Sequence, residues 1–391
     1  MNPSSPSKAG FTLVELMVST AIIALIMLVL VAMTNQTSQT WRSTTEKIEK
    51  FQSARDGFES MTRKLSQATL NVNWDYLDKN GLVRSTNFTS NEFKNFIPAT
   101  YGRVTDLRFV SGPMNPTSLV PKGLASDNVT RPGQGVFFQA PFGLVNDKAS
   151  YGAMDNLLNT WGYFVEAGYD QTTPQFVANT VPQRWRTRLI EFMQPAENMS
   201  AYNKSDFSYA WFQTGMANPL NRRVLAENIL TLIILPKLSK MDEDTRVKSQ
   251  NVQASYLSPY YVYDSYPVDS SGNSLTINPG ATPGSEPGMI NPKNQLPPVL
   301  SVTMIAVDER SAERLDDKYS KSPVLGIDLA AAKAGVDYSS LFTSLIKNPF
   351  EGPDGDLARY EKILQSEKVT YRIFTSNVNI RGAKWSRLQT K

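Results

Sequence analysis

With no histidine and no cysteine among its 391 residues, the chain can do chemistry only through carboxylates, amines, guanidinium groups and hydroxyls. A Ser-His-Asp or Cys-His nucleophile, a Cys/His zinc site, a His-ligated haem and an iron-sulfur cluster are excluded by composition, and so are disulfides. Carboxylate, Ser-Lys or Tyr catalysis remains, but pairs such as Asp316-Asp317 are adjacent and point apart on any regular element. There is no G-x-x-x-x-G-K loop, which excludes a nucleotide-driven motor. Arg184, Arg186 and Arg188 alternate with Trp185, Thr187 and Leu189, and on a strand this puts three guanidinium groups on one face. They are a candidate ligand-binding row for an acidic polymer. A solvated sheet face is the plainer reading, because 40 Lys+Arg against 36 Asp+Glu leave a formal charge of only +4, which argues against a nucleic-acid partner.

Tyr256, Tyr260, Tyr261, Tyr263 and Tyr266 crowd a short segment and fit either partner docking or collapse onto a core. Asp75, Asp78 and Asn80 with Gly81, and separately Asp354 with Asp356, offer oxygen ligands for calcium. Neither spacing is that of an EF-hand, and turn formation accounts for both, so no metal or other cofactor is expected.

The most informative reactive group is Glu15. It lies inside a 23-residue, almost wholly apolar run from Phe11 to Met33 and is the only charged side chain between Lys8 and Arg42. As a helix the run spans about 35 Å, enough for a hydrocarbon core of about 30 Å. A carboxylate there costs about 2.5–3.5 kcal/mol on insertion scales and calls for a partner. A secretory signal would put a small-residue cleavage site after the run, where Thr34-Asn35-Gln36 stands instead. A plain anchor leaves Glu15 unexplained, and a soluble core helix rarely runs so far without charge.

The order of residues Lys8-Ala9-Gly10-Phe11-Thr12-Leu13-Val14-Glu15-Leu16 resembles the leader junction of type IV prepilins and type II secretion pseudopilins. The resemblance implies cleavage between Gly10 and Phe11 by prepilin peptidase, N-methylation of Phe11, and pairing of Glu15 with the new α-amino group of a neighbouring subunit. Its implied partners are other pilins or pseudopilins, an inner-membrane assembly platform, and membrane lipid along 11–33. Lys8 before the span, with no basic residue until Arg42, keeps the leader cytoplasmic and puts the remainder outside the inner membrane.

Beyond the span, Trp41, Ile48, Phe51, Phe58, Met61 and Leu65 recur at helical spacing, and no proline occurs between Pro6 and Pro98. This predicts one helix from Phe11 to about Leu70, amphipathic in its second half. Domains follow: leader 1–10, transmembrane half 11–33, amphipathic half 34–70, and a head over 71–391 with 33 basic and 31 acidic residues. Strands are expected at Val104 to Val110, Gly135 to Gln139, Gly162 to Ala167, Arg186 to Met193, Asn228 to Leu235, Val299 to Val307 and Val369 to Ile380. Asn80-Gly81 suggests a further hairpin turn, and helices are expected at Ser311 to Asp316, Ser339 to Lys347 and Leu357 to Ser366. The fold class is therefore α+β, a long helix packed on an antiparallel sheet, with a Pro/Gly-rich exposed loop over 267–298. Leu225-Ala226-Glu227-Asn228-Ile229, Leu235-Pro236, Gln295-Leu296-Pro297-Pro298-Val299 and Tyr371-Arg372-Ile373-Phe374 are similar to minor pseudopilin J and, more closely, to protein C of the Verru_Chthon cassette. The resemblance implies a minor structural subunit. A pilus-delivered adhesin or DNA-binding tip subunit, and a membrane-anchored hydrolase, are the alternatives.

Overall fold

Because no proline interrupts the segment, backbone hydrogen bonding carries helix α1 unbroken from Leu13 to Leu65 in the computed structural model. That model describes residues 12–79, 83–84, 89, 91–114, 129–152, 154, 156–169, 180, 185–202, 209–237, 244, 256, 262–266, 292–318 and 355–383. The chain divides into two units, Met1–Gln52 and Ser53–Lys391, and α1 contributes to both.

In the first unit the apolar side chains of α1 are bare: Leu13, Leu25 and Leu28 are 75%, 67% and 72% exposed. Six of its hydroxyls are satisfied by a local device. Ser19, Thr20, Thr34, Thr37, Thr40 and Thr44 each donate to the carbonyl four residues back at 2.8–2.9 Å. The helix from Leu13 to Trp41, 29 residues, is long and apolar enough to cross a membrane. Trp41, expected to open the packed stripe, is instead 74% exposed.

In the second unit Ala54, Phe58, Met61 and Leu65 recur at i, i+4, i+7 and i+11 and are buried. Arg63 and Lys64 occupy the last turn, where the helix dipole favours cations. The helix ends at Leu65, earlier than periodicity suggests, because Thr69 N–H turns to the carbonyl of Gln139 and joins the sheet system. That system contains a two-stranded sheet of β1 (Asn73–Leu77) and β2 (Thr100–Val104). A six-stranded sheet has the order β7-β6-β5-β4-β3-β9, made of β3 (Val110–Pro113), β4 (Gln134–Pro141), β5 (Leu158–Tyr169), β6 (Trp185–Gln194), β7 (Arg222–Glu227) and β9 (Tyr263–Asp264). A three-stranded sheet has the order β11-β10-β8, with β8 (Ile229–Pro236), β10 (Val299–Val307) and β11 (Tyr371–Asn379). All pairings are antiparallel.

One residue, Asn228, separates β7 from β8 and moves the chain from one sheet to the other. It does so at φ 57°, the left-handed region that asparagine tolerates, and its side-chain amide donates to Glu309 Oε2 at 2.8 Å. Strand β8 reads as an apolar run broken only by Thr231 because it is buried at every position, with packing on both of its faces. On one face Leu230, Ile233 and Leu235 join Ile305 and Val307 against α3 (Glu309–Lys318) and α4 (Asp356–Ser366). The six-stranded sheet has its own cluster, in which Phe137, Phe164, Ile190 and Phe192 meet Trp211, Phe212 and Met216 of α2 (Ala210–Met216).

The α+β class and the antiparallel head stand, and six of the seven expected strands are present. Val104 to Val110 is the exception. There the backbone donors turn to side chains: Asp106 and Leu107 N–H to Asn71 Oδ1 at 3.0 Å, Arg108 N–H to Gln139 Oε1 at 2.7 Å, and Phe109 N–H to Ser265 Oγ at 2.8 Å. Side-chain acceptors replace a ladder and split the segment into the end of β2 and the start of β3. The loop expected over 267–298 is also not exposed throughout. Asn294, Gln295 and Leu296 are buried, and Asn294 N–H donates to Ser265 O while its side-chain amide donates to Arg103 O. The Asn80-Gly81 turn and the Ser339 to Lys347 helix lie outside the described residues, although Leu77 and Val83 bridge antiparallel beside the former.

Candidate functional site

The start of α1 is built by four consecutive residues. Thr12 precedes the first helical residue, and its backbone N–H donates to Glu15 Oε2 at 2.9 Å while Glu15 N–H donates to Thr12 Oγ1 at 3.3 Å. Thr12 Oγ1 also donates to Glu15 Oε2 at 3.0 Å. This is a reciprocal capping box, T-x-x-E, which satisfies two of the donors a helix start leaves open and puts a negative charge where the helix dipole favours one. The T-x-x-E spacing is legible in Thr12-Leu13-Val14-Glu15. The Glu15 carboxylate is thus folded back onto Thr12. Gly10 and Phe11, the expected cleavage and methylation positions, lie outside the described residues.

A second carboxylate, which sequence reasoning missed, sits in the interior of the head. Glu191 on β6 has a fully enclosed side chain. Its Oε1 accepts from Lys64 Nζ at 2.7 Å, Tyr163 OH at 2.9 Å and Trp161 Nε1 at 3.1 Å. Arg223, its cross-strand neighbour on β7, approaches Oε2 at 3.5 Å. Lys64 Nζ also stands 4.4 Å from the centre of the Trp161 ring. Burial beside this carboxylate pushes the Tyr163 hydroxyl well above its ordinary range, so it stays a donor. No local window joins these residues; the register of β5, β6 and β7 and the last turn of α1 bring them together.

Arg186 and Arg188 share a face of β6, as the alternation requires, but the face is not solvated: they are 6% and 7% exposed. Acidic side chains of α3 cover Arg186, whose guanidinium pairs with Glu309, with Asp316 at 3.2 Å and with Glu313 at 3.3 Å. Arg188 donates to Gly168 O at 3.3 Å and lies in register with Glu166, which Arg222 and Arg131 hold at 3.2 and 3.6 Å. The helix that neutralises Arg186 begins 123 residues downstream, at Glu309, beyond any sequence window. Burial pushes the Asp316 carboxyl up to about 6, opposed by Arg186 and reinforced by Asp317 and Glu309. Arg184 lies outside the described residues.

Of the tyrosine cluster, Tyr263 is buried and donates to Gln295 O, Tyr266 packs under Arg108, and Tyr256 packs against the cluster around β8. These three favour the collapsed reading; Tyr260 and Tyr261 lie outside the described residues. Asp75 falls in β1 rather than in a turn, and Asp354, Asn80 and Gly81 are outside the described residues.

Against known proteins, residues 5–31 match the family described as the prokaryotic N-terminal methylation motif. No curated protein and no solved structure matches the chain. The matched segment leads into the exposed apolar helix, and together they support a prepilin-type protein with an N-terminal helix suited to membrane anchoring.

Proposed function

We propose that this chain is a minor pilin or pseudopilin, a structural subunit of a type II secretion pseudopilus or a type IV pilus-like fibre. Prepilin peptidase cuts between Gly10 and Phe11, Phe11 is N-methylated, and residues 11–33 hold the subunit in the inner membrane with the leader cytoplasmic and the head in the periplasm or in the fibre. The observation that carries this reading is the methylation motif over residues 5–31 leading into an apolar helix whose first turn holds Glu15. A carboxylate at the rim of lipid needs a counter-charge, and cleavage creates one as the α-amino group of Phe11 on a neighbouring subunit. Because that pair forms in one register only, it fixes the stagger between helices. The similarity to minor pseudopilin J and to cassette protein C favours a minor subunit, and Glu15 argues against the outermost tip, which the resemblance assigns to a subunit lacking that glutamate.

The test is the N-terminal peptide mass of protein extracted from its own membranes. A chain starting at N-methyl-Phe11 is expected; an intact leader in cells with active prepilin peptidase refutes the reading. Glu15→Ala is expected to insert and be cleaved normally yet to lose co-purification with its partner pilins.

A further inference from the structure

The two-stranded sheet carries an aromatic face that the core does not use. Trp74 and Tyr76 on β1 lie opposite Arg103 and Tyr101 on β2, so all four share one face. Trp74 and Tyr101 stack with ring centres 5.5 Å apart, Tyr76 follows at 5.1 Å, and the Arg103 guanidinium lies 5.6 Å from the Trp74 ring. Cross-strand aromatic pairs stabilise a short hairpin by themselves. Here that role leaves Trp74, Tyr76 and Tyr101 still 50%, 58% and 59% exposed. The face is held in place, since Asn294 donates to the Arg103 carbonyl and Ala99 N–H to Leu77 O.

Two observations select the occupant. Three half-exposed rings offer on the order of 350 Å², well short of the roughly 800 Å² per partner that a stable protein interface buries. The segment from residue 71 to residue 106 holds Asp75, Asp78, Glu92 and Asp106 against Lys79, Arg84, Lys94 and Arg103, so it is charge-balanced and lacks the basic groove that tracks a nucleic-acid backbone. An uncharged ligand with flat apolar faces and hydroxyl edges fits both. We infer that the β1–β2 face is a binding platform for a neutral polysaccharide, whose sugar rings stack their C–H faces on Trp74, Tyr76 and Tyr101 while the tyrosine hydroxyls and Arg103 meet sugar hydroxyls at the rim. This goes beyond the assembly reading and holds whether or not the chain enters a fibre.

The test uses the full chain in detergent micelles, mixed with insoluble cellulose, chitin, xylan and starch, with the protein left in solution measured at low and high salt. Depletion by at least one polymer, insensitive to salt, is expected. Trp74→Thr and Tyr101→Thr, which keep strand-favouring side chains, should each weaken it roughly tenfold, the ratio that about 1.4 kcal/mol of lost stacking gives. Trp74→Tyr, which keeps a ring, should retain most of it. A wild-type chain that stays in solution with all four polymers overturns the inference. So does binding that neither Thr variant weakens, or that falls steeply with salt.

Discussion

Glu15 stands at the start of α1 among side chains such as Leu16 and Met17 that are more than half exposed, and its hydrogen-bond partners lie three residues away in Thr12. Glu191 is fully enclosed in the head, and the groups that satisfy it come from α1, β5 and β7, between 28 and 127 residues away in sequence. Both are carboxylates set among apolar neighbours, where an unpartnered charge is costly. The head meets that cost internally, with an amine, an indole and a phenol round one oxygen. At the helix start the carboxylate meets only the Thr12 cap, and no cation stands near it among the described residues. A carboxylate completed within its own fold is a matter of stability, whereas one held by a local cap alone is, on the proposed function, the one that serves assembly.

The sharpest way to break this comparison is Glu191→Ala. It strands Lys64, removes the acceptor of the Tyr163 hydroxyl and leaves Trp161 Nε1 with only its bond to Tyr163 OH, and should cost about 3–5 kcal/mol in chemical denaturation of the head. Glu15→Ala should leave that same transition where it is. Apolar side chains sharpen the contrast next. Phe58→Ala empties a buried position beside Phe374, 5.8 Å between ring centres, and should cost about 3–4 kcal/mol. Leu28→Ala, on the same helix but 72% exposed, should stay within about 0.5 kcal/mol for the detergent-solubilised protein.

Asp264 supplies an intermediate case, enclosed but less fully paired. Burial pushes its carboxyl from 3.8 to about 6, against the opposing effects of Tyr266 N–H, Arg108 and Tyr209. A carboxyl whose folded pKa is raised favours the fold while protonated. Its contribution is present below the unfolded value and is lost as pH climbs through about 6. Asp264→Asn should therefore be neutral near pH 4 and relatively stabilising at pH 8, by up to about 3 kcal/mol at about 1.4 kcal/mol per pKa unit. Melting curves of both proteins across that range check the sign. The smallest effect is expected from Thr12→Ala, which removes half of the capping box. It should loosen the first turn of α1 by about 1 kcal/mol, seen as faster amide exchange at Glu15 and Leu16 with an unchanged head transition.

Much of the architecture was legible in the sequence because its causes are local. Apolar runs fixed β8 and β10, and the missing prolines with a 3.6-residue stripe of Phe58, Met61 and Leu65 fixed the second half of α1. The stretch from Thr105 to Phe109 was not legible, since Asn71, Gln139 and Ser265 capture its donors from elsewhere in the chain. Nor was the fate of Arg186: an alternating Arg-x-Arg pattern states that side chains share a face and is silent on which helix will cover it. Trp74, Tyr76 and Tyr101 are scattered aromatics in the sequence, and only the pairing of β1 with β2 gathers them.

By itself the sequence determined the apolar helix, its single charge, its cap and the methylation motif at its start, because each is decided by residues within a few positions of one another. Tertiary structure alone decided which charges meet: Lys64 with Glu191, Arg186 with the carboxylates of α3, and Trp74 with Tyr101 on an open face. Those meetings depend on strand register and on which element covers which face, and both are set by the packing of the whole head rather than by any one segment.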